Sequence, residues 1–288
     1  MQWRETRSLS IFVGAITELP AERKSTMKLC SLRSGSKGNA ILVYTESTKL
    51  LIDCGISGKM AKEGMQELGI APESLSGILI THEHNDHIGG VGVMSRRYHL
   101  PVFANPKTWN AMESALGKIA PENKQMFDPE GSFTVGDITV HPFAIPHDAA
   151  DPVGYSLEAG GKKVSVATDI GVLEESLFRA VKGSSAVLLE ANHDRNMLDM
   201  GSYPLPLKQR IRGERGHLSN EDAGYAAKFL VKMGTGKIML GHLSHENNYP
   251  LLAQQTVVNI LKESGIEPGR DLYLSVAPRD RVSDVLAV

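Results

Sequence analysis

Apolar runs of strand length come early and close together in this chain, at 28–33, 40–45 and 49–53, with the turn Ser34-Gly-Ser-Lys-Gly-Asn39 between the first two. Runs of this kind bounded by Gly/Ser punctuation predict strands. A helical pattern follows over 58–68, stopped by Gly69 and the Ala71-Pro72 pair. Gly77-Ile-Leu-Ile-Thr81 and residues 101–104 predict short strands, and 106–117 a helix that starts on proline. Residues 133–147 and 153–169 read as antiparallel strands, the latter turning at Gly160-Gly161. A helix over 173–181 and a strongly apolar strand over 186–191 come next, and then the alternation repeats: helix 220–231, strand 237–240, helix 251–263, strand 271–276. Strands with helices inserted in both halves predict an α/β fold, two sheets packed together with helices outside. No internal repeat, low-complexity linker or boundary follows residue 27, so residues 27–288 are expected to form one domain.

Composition narrows this picture only a little. Hydrophobic residues make up 41% and charged residues 22% of the 288, as in ordinary soluble globular chains. A net charge of −2 argues against a protein that coats nucleic acid electrostatically and leaves a local basic patch open. Two cysteines, Cys30 and Cys54, are too few for a disulfide framework, which points to a reducing compartment such as the cytoplasm. No apolar run approaches the ~20 residues of a membrane span. Residues 1–26 differ from the rest, with Arg4, Arg7, Arg23 and Lys24 around a short apolar piece, and read as an N-terminal extension.

The chemistry is concentrated in Thr81-His-Glu-His-Asn-Asp-His-Ile-Gly-Gly90. His82, His84, Asp86 and His87 are too close in sequence for all of them to face one metal from a regular helix, so the pattern needs a loop, hung here from the end of a buried strand. Imidazole and carboxylate suit Zn²⁺, Mn²⁺ or Fe²⁺, and the spacing can feed two adjacent metals. His147, Asp169 and His242 each stand where another apolar strand runs out, the place from which side chains converge on a cleft.

With Asp53-Cys-Gly55 and Thr168-Asp-Ile-Gly171, these residues resemble the metallo-β-lactamase superfamily across 27–288. The resemblance implies a four-layer αβ/βα sandwich of two packed mixed β-sheets with outer helices and a dinuclear site at one edge. It implies that His82, His84 and His147 hold one divalent ion, that Asp86, His87 and His242 hold the second, and that Asp169 bridges them. Asp53 corresponds to a carboxylate that orients ligating imidazoles rather than to a ligand. Members that hydrolyse β-lactams typically carry cysteine in the second site, where Asp169 stands here, which argues against antibiotic hydrolysis.

Later motifs resemble the nuclease branch: Leu189-Glu-Ala-Asn-His193, Gly216-His-Leu-Ser-Asn220 and His242-Leu-Ser-His-Glu-Asn-Asn248. With Ser34-Gly-Ser-Lys-Gly-Asn39 they are similar to the YycJ/WalJ (VicX) group, which is associated with 5′-to-3′ exonuclease action on DNA. The implied reaction is phosphodiester hydrolysis by metal-activated water, with Asp86 hydrogen-bonded to that water and His217, held by Glu190, protonating the leaving oxygen. His193 competes with His217 for that role. Lys208, Arg210, Arg212 and Arg215 crowd the residues before His217 and read either as a solvated loop or as a phosphate-binding edge. Lys37 in its Gly-rich turn and Ser219 are further candidates for phosphate contact. Hydrolysis of a small thioester, lactone or cyclic phosphodiester is the competing expectation, since it uses the same seven ligands. A non-catalytic binding module is a third.

Overall fold

The computed structural model describes residues 26–288. The extension expected over 1–26 lies, Thr26 apart, outside the described residues. In the first half, β1 (Lys28–Arg33), β2 (Ala40–Tyr44) and β3 (Lys49–Ile52) are followed by α1 (Gly58–Glu67) and β4 (Gly77–Leu79). The single turn α2 (Asn85–Ile88), then α3 (Val91–Tyr98), β5 (Val102–Ala104), α4 (Pro106–Leu116) and β6 (Lys124–Met126) complete that half. The second half begins with β7 (Phe133–Val135), β8 (Ile138–Ala144), β9 (Val153–Ala159) and β10 (Lys162–Ala167), then α5 (Glu175–Val181) and β11 (Ala186–Glu190). It ends with α6 (Arg195–Met200), α7 (Leu205–Arg212), α8 (Asn220–Lys232), β12 (Lys237–Gly241), α9 (Pro250–Glu263), β13 (Tyr273–Val276) and β14 (Leu286–Ala287).

Two seven-stranded mixed sheets result, in the orders β14-β1-β2-β3-β4-β5-β6 and β13-β12-β11-β10-β9-β8-β7. The period of two explains why so many strands read as unbroken apolar runs. In β2, Ile41 and Val43 enter the core between the sheets while Leu42 enters the core beneath α1, α3 and α4. In β11 and β12, Leu188 and Met239 face the same inter-sheet core, and Val187, Leu189, Ile238 and Leu240 pack under the helices of the second half. Three apolar layers thus glue four layers of structure, and both faces of each sheet are dry.

Local signals set the helix ends. The Ser57 side chain accepts from Met60 N at the start of α1, Asn105 accepts from Thr108 N ahead of Pro106 in α4, and Ser219 forms a capping box with Asp222 in α8. The strand pattern expected over 133–147 is broken into β7 and β8 by a tight turn at Gly136, whose φ is 57°. The loop expected at the His cluster contains one helical turn, α2, and the basic segment before His217 is helical as well, as α7.

The polarity of the strands positions the site. β3, β4 and β5 run parallel, as do β10 to β13, and β8 shares the direction of β10 through two antiparallel pairings with β9. The C-terminal ends of both sets meet at one edge of the sandwich.

Candidate metal centre

Most of the candidate ligands lie just past one of those strand ends. Thr81 and His82 follow β4, His147 follows β8, Asp169 follows β10, Glu190 is the last residue of β11, and His242 follows β12. Asp53, Asp169 and His242 all have left-handed backbones, with φ of 57°, 61° and 56°. A non-glycine residue pays about 1 kcal/mol for that conformation, and here it curls each side chain off its strand end into the same cleft. Asp86 and His87 come from α2, held against the loop after β3: Cys54 N donates to His87 O at 2.8 Å and Asn39 N to Asp86 O at 2.8 Å.

The donor atoms fall into overlapping groups within 4.8 Å of one another: His82, His84 and His147; Asp86, His87 and His242; and His82, His87 and Asp169. Asp169 faces both sides, with Oδ2 3.4 Å from His87 Nε2 and Oδ1 3.4 Å from His242 Nε2 and 3.9 Å from His147 Nε2. A further group joins Asp169 and His242 to Glu190 and His217. Glu190 has no oxygen to spare for a cation, however. Its Oε1 lies 2.8 Å from His242 Nδ1 and 2.9 Å from His217 Nδ1, and its Oε2 accepts from Ile170 N and Leu218 N at 2.8 and 3.0 Å.

The supports fix the tautomers. Asp53 Oδ2 accepts from His87 Nδ1 at 2.8 Å and from the Thr81 hydroxyl at 2.7 Å, while its Oδ1 accepts from Thr81 N. The Thr81 oxygen in turn accepts from His82 Nδ1 at 2.9 Å, and His147 Nδ1 donates to Gly216 O at 3.2 Å. Four imidazoles are therefore held through Nδ1, which turns Nε2 toward the cluster, whereas His84 turns its Nδ1 inward, 3.3 Å from His147 Nε2.

This donor set fits divalent cations. The Nε2 of His82 and the Oδ2 of Asp169 are buried and have no hydrogen-bond partner, a costly state that a bound cation relieves. Burial opposes charge throughout the cluster, but the neighbours overrule it at several positions. Asp169 and Asp53 raise the His87 pKa well above the usual histidine value, and Asp169 with Asp86 and Glu190 raises that of His242 to about 10. The same pairs hold the Asp86 and Asp169 carboxyls below their usual range against the burial that would raise them. At His82 burial prevails: with the His87, His147 and His84 imidazoles beside it, burial lowers its pKa well below the usual histidine value despite the opposing charge of Asp86.

Beside the ligands, a pocket of about 160 Å³ is lined by His217, Asp148, Asn192, Tyr203, Arg210 and Ser244, among others. The His217 side chain is 20% exposed there, its Nδ1 committed to Glu190. His193 does not compete with it. It is buried, and burial lowers its pKa to about 4, so it has no proton to give at neutral pH.

The expected phosphate contacts divide. Arg210 lines the pocket and pairs with Asp148. Arg212 pairs with Asp199 instead, and Arg215 lines a separate cleft beside Ala149, Val172 and Glu174. Ser219 is not open to a substrate, because its hydroxyl caps α8, bonds Asp222 and accepts from Arg195 Nε at 3.1 Å. Lys37 is exposed beside a different cavity. His99 ends α3 and His141 faces Glu158, both away from the ligands. Residues that the sequence did not single out are Thr81, which links Asp53 to His82, Asn192, which donates to His242 O at 2.9 Å, and Ser34, whose hydroxyl accepts from His242 N at 2.8 Å. Only Thr81 carried a local signal, as a hydroxyl residue directly before the first histidine.

A model of the beta-lactamase superfamily domain matches residues 48–243. Exodeoxyribonuclease YycJ of Bacillus anthracis is 43% identical over 238 residues, which cover 83% of this chain and 90% of that protein. Exodeoxyribonuclease WalJ of Streptococcus pneumoniae (strain D39) is 43% identical over 246 residues, 85% of this chain and 91% of that one. In fold, the chain is similar to the metallo-beta-lactamase fold protein YhfI of Bacillus subtilis, with a TM-score of 0.68 at 16% identity over 91% of this chain and 100% of that one. The chain belongs to the metallo-β-lactamase superfamily and, within it, to the family of the YycJ and WalJ proteins.

Proposed function

We propose that this protein is a metal-dependent phosphodiesterase that degrades DNA from an end, a 5′-to-3′ exodeoxyribonuclease, with residues 27–288 as its catalytic domain. The observation that carries the reading is the Glu190–His217 pair beside the ligand cluster, in a chain 43% identical to two exodeoxyribonucleases. Among the described residues no helix is long and apolar enough to cross a membrane. The two cysteines are buried and unpaired, which supports a reducing, cytoplasmic setting.

Two divalent ions, Zn²⁺ or Mn²⁺ with Fe²⁺ as a third candidate, would be held by His82, His84 and His147 on one side and Asp86, His87 and His242 on the other, with Asp169 between them. Bound there, they lower the pKa of water and polarise a phosphoryl oxygen. The protein's own groups do the rest. Asp86 accepts a hydrogen bond from the attacking water and orients it toward phosphorus. His217, its Nδ1 fixed on Glu190, presents Nε2 as the acid that protonates the departing sugar oxygen, and Glu190 stabilises the imidazolium before transfer. Arg210, which lines the same pocket as His217, would meet the phosphate there.

An alkoxide leaving group needs that proton, whereas a thiolate hardly does, so the pair would be idle in a thioesterase. The test is a substrate panel offered to the metal-loaded protein: end-labelled duplex and single-stranded DNA, RNA, a thioester and a lactone. The reading predicts turnover of DNA. Turnover confined to the thioester or lactone overturns it.

A further inference from the structure

A cavity of about 530 Å³ stands apart from the one that contains His217. It lies at the same edge of the sandwich, between the Ser34–Gly38 turn after β1 and the segment that follows β13. Ser34 N donates to Pro278 O at 3.2 Å and ties its two walls together. Leu243 lines this cavity while its neighbour His242 reaches the ligand cluster, and Ser36 lines both this cavity and the catalytic pocket. The two spaces are therefore adjacent and share Ser36 in their walls.

The chemistry of the walls is divided. Met60, Pro250 and Pro278 supply an apolar side, and Lys37, Arg279 and Arg281 supply the positive charge. The single acidic residue of the lining, Asp280, is 83% exposed and lies 4.0 Å from Arg281, a pair that water screens heavily. Arg279 is anchored from behind, its Nη2 donating to Ser244 O and to Asn248 O, while its Nε is buried without a partner. A rigidly held guanidinium with donors to spare suits a phosphate. The volume falls within the roughly 300–1,000 Å³ range of small-ligand sites, which accommodates one nucleotide.

We infer that this cavity binds the 5′-terminal nucleotide of the DNA strand, its base against Met60, Pro250 and Pro278 and its terminal phosphate on Lys37, Arg279 and Arg281. The inference rests on the nuclease reading above and deepens it: a cationic cavity one nucleotide in size, beside the catalytic pocket, gives the enzyme its register from the chain end. A phosphomonoester carries more negative charge than an internal phosphodiester, so the three cations select a phosphorylated end over a hydroxyl end.

The test compares kcat/KM of the metal-loaded protein on two otherwise identical strands, one with a 5′-phosphate and one with a 5′-hydroxyl. The wild type should prefer the phosphorylated strand by about tenfold or more, the loss expected when charge-assisted hydrogen bonds are removed. In the double variant Lys37→Ala/Arg281→Ala the preference should shrink well below the wild-type ratio, because only Arg279 is left to meet the phosphate. Both side chains are exposed, so folding is preserved, and a ratio between two strands cancels any general loss of electrostatic attraction. Hydrolysis of both strands by the wild type at equal efficiency overturns the inference and leaves the nuclease reading standing, as does a preference undiminished in the double variant. Hydrolysis of neither strand overturns both.

Discussion

The Nδ1 of His217 lies 2.9 Å from Oε1 of Glu190, and that same oxygen holds His242 at 2.8 Å. One carboxylate thus serves a proposed acid and a proposed metal ligand, and the two roles separate by substitution. His217→Ala removes the acid alone: kcat should fall by about 10²–10⁴, the usual scale of general acid catalysis, with metal content unchanged. Glu190→Gln should lower activity and also weaken metal binding roughly 10–100-fold, because a Gln amide cannot accept from both imidazoles through one oxygen and satisfy both backbone amides through the other. Steady-state kinetics beside metal analysis of the dialysed variants separates the two. Metal loss in His217→Ala would show that His217 is a ligand.

Asp53 offers a similar test outside the ligand set. Asn tolerates the left-handed backbone at this position nearly as well as Asp, so Asp53→Asn isolates the hydrogen bonds. One oxygen can still accept from Thr81 N, but the amide nitrogen in place of the other then faces two donors, His87 Nδ1 and the Thr81 hydroxyl. Metal affinity should drop about 10–100-fold while the circular dichroism spectrum stays that of the wild type. Competition titration with a chelating dye measures it.

Gly55 tests how tightly the ligand-bearing turn is packed. Its φ is not in the left-handed region, so alanine brings no backbone strain, but a Cβ there would lie 1.6 Å from Asp86 O. The turn carrying Asp86 and His87 must move. Gly55→Ala should cost about 1–3 kcal/mol of stability and reduce metal content, whereas Gly236→Ala, which meets nothing within 4 Å and is not at a positive φ, should leave both unchanged. Thermal unfolding and metal analysis of the two variants check this.

Metal uptake should depend on pH in a fixed direction. In the metal-free protein His87 titrates well above the usual histidine range, and His242 near 10, because carboxylates outweigh the burial that would lower them. At neutral pH both carry protons that a cation must displace. Affinity should therefore rise with pH towards 10 and fall as pH is lowered, with protons released on binding. Calorimetric titration of the metal in buffers of different ionisation enthalpy reports that release, and a buffer-independent heat contradicts it.

The parts of the fold and the site that the sequence reveals share one property: their signal is local. Strands such as β11 and β12 read as strands because both faces are buried, and the ligands could be picked out because they end such runs, as His82, His147, Asp169 and His242 do, or crowd into 82–87, as His84, Asp86 and His87 do. α7 has no buried residue and so no apolar period to detect, and α2 is only four residues long. β14 exists through pairing with β1 at the far end of the chain, and nothing near residue 286 announces it. Ser219 and Arg212 show the same limit, since a helix cap and a pairing with Asp199 are spatial facts that proximity to His217 in sequence does not reveal.

The most direct test of the central claim is a time course on 5′-labelled duplex DNA with the metal-loaded protein, the chelated protein and the chelated protein resupplied with Mn²⁺ or Zn²⁺. The account predicts release of labelled short products from the 5′ end by the loaded protein, their loss on chelation and their return on resupply. DNA left intact by the fully loaded protein, or cut equally well after chelation, would contradict it.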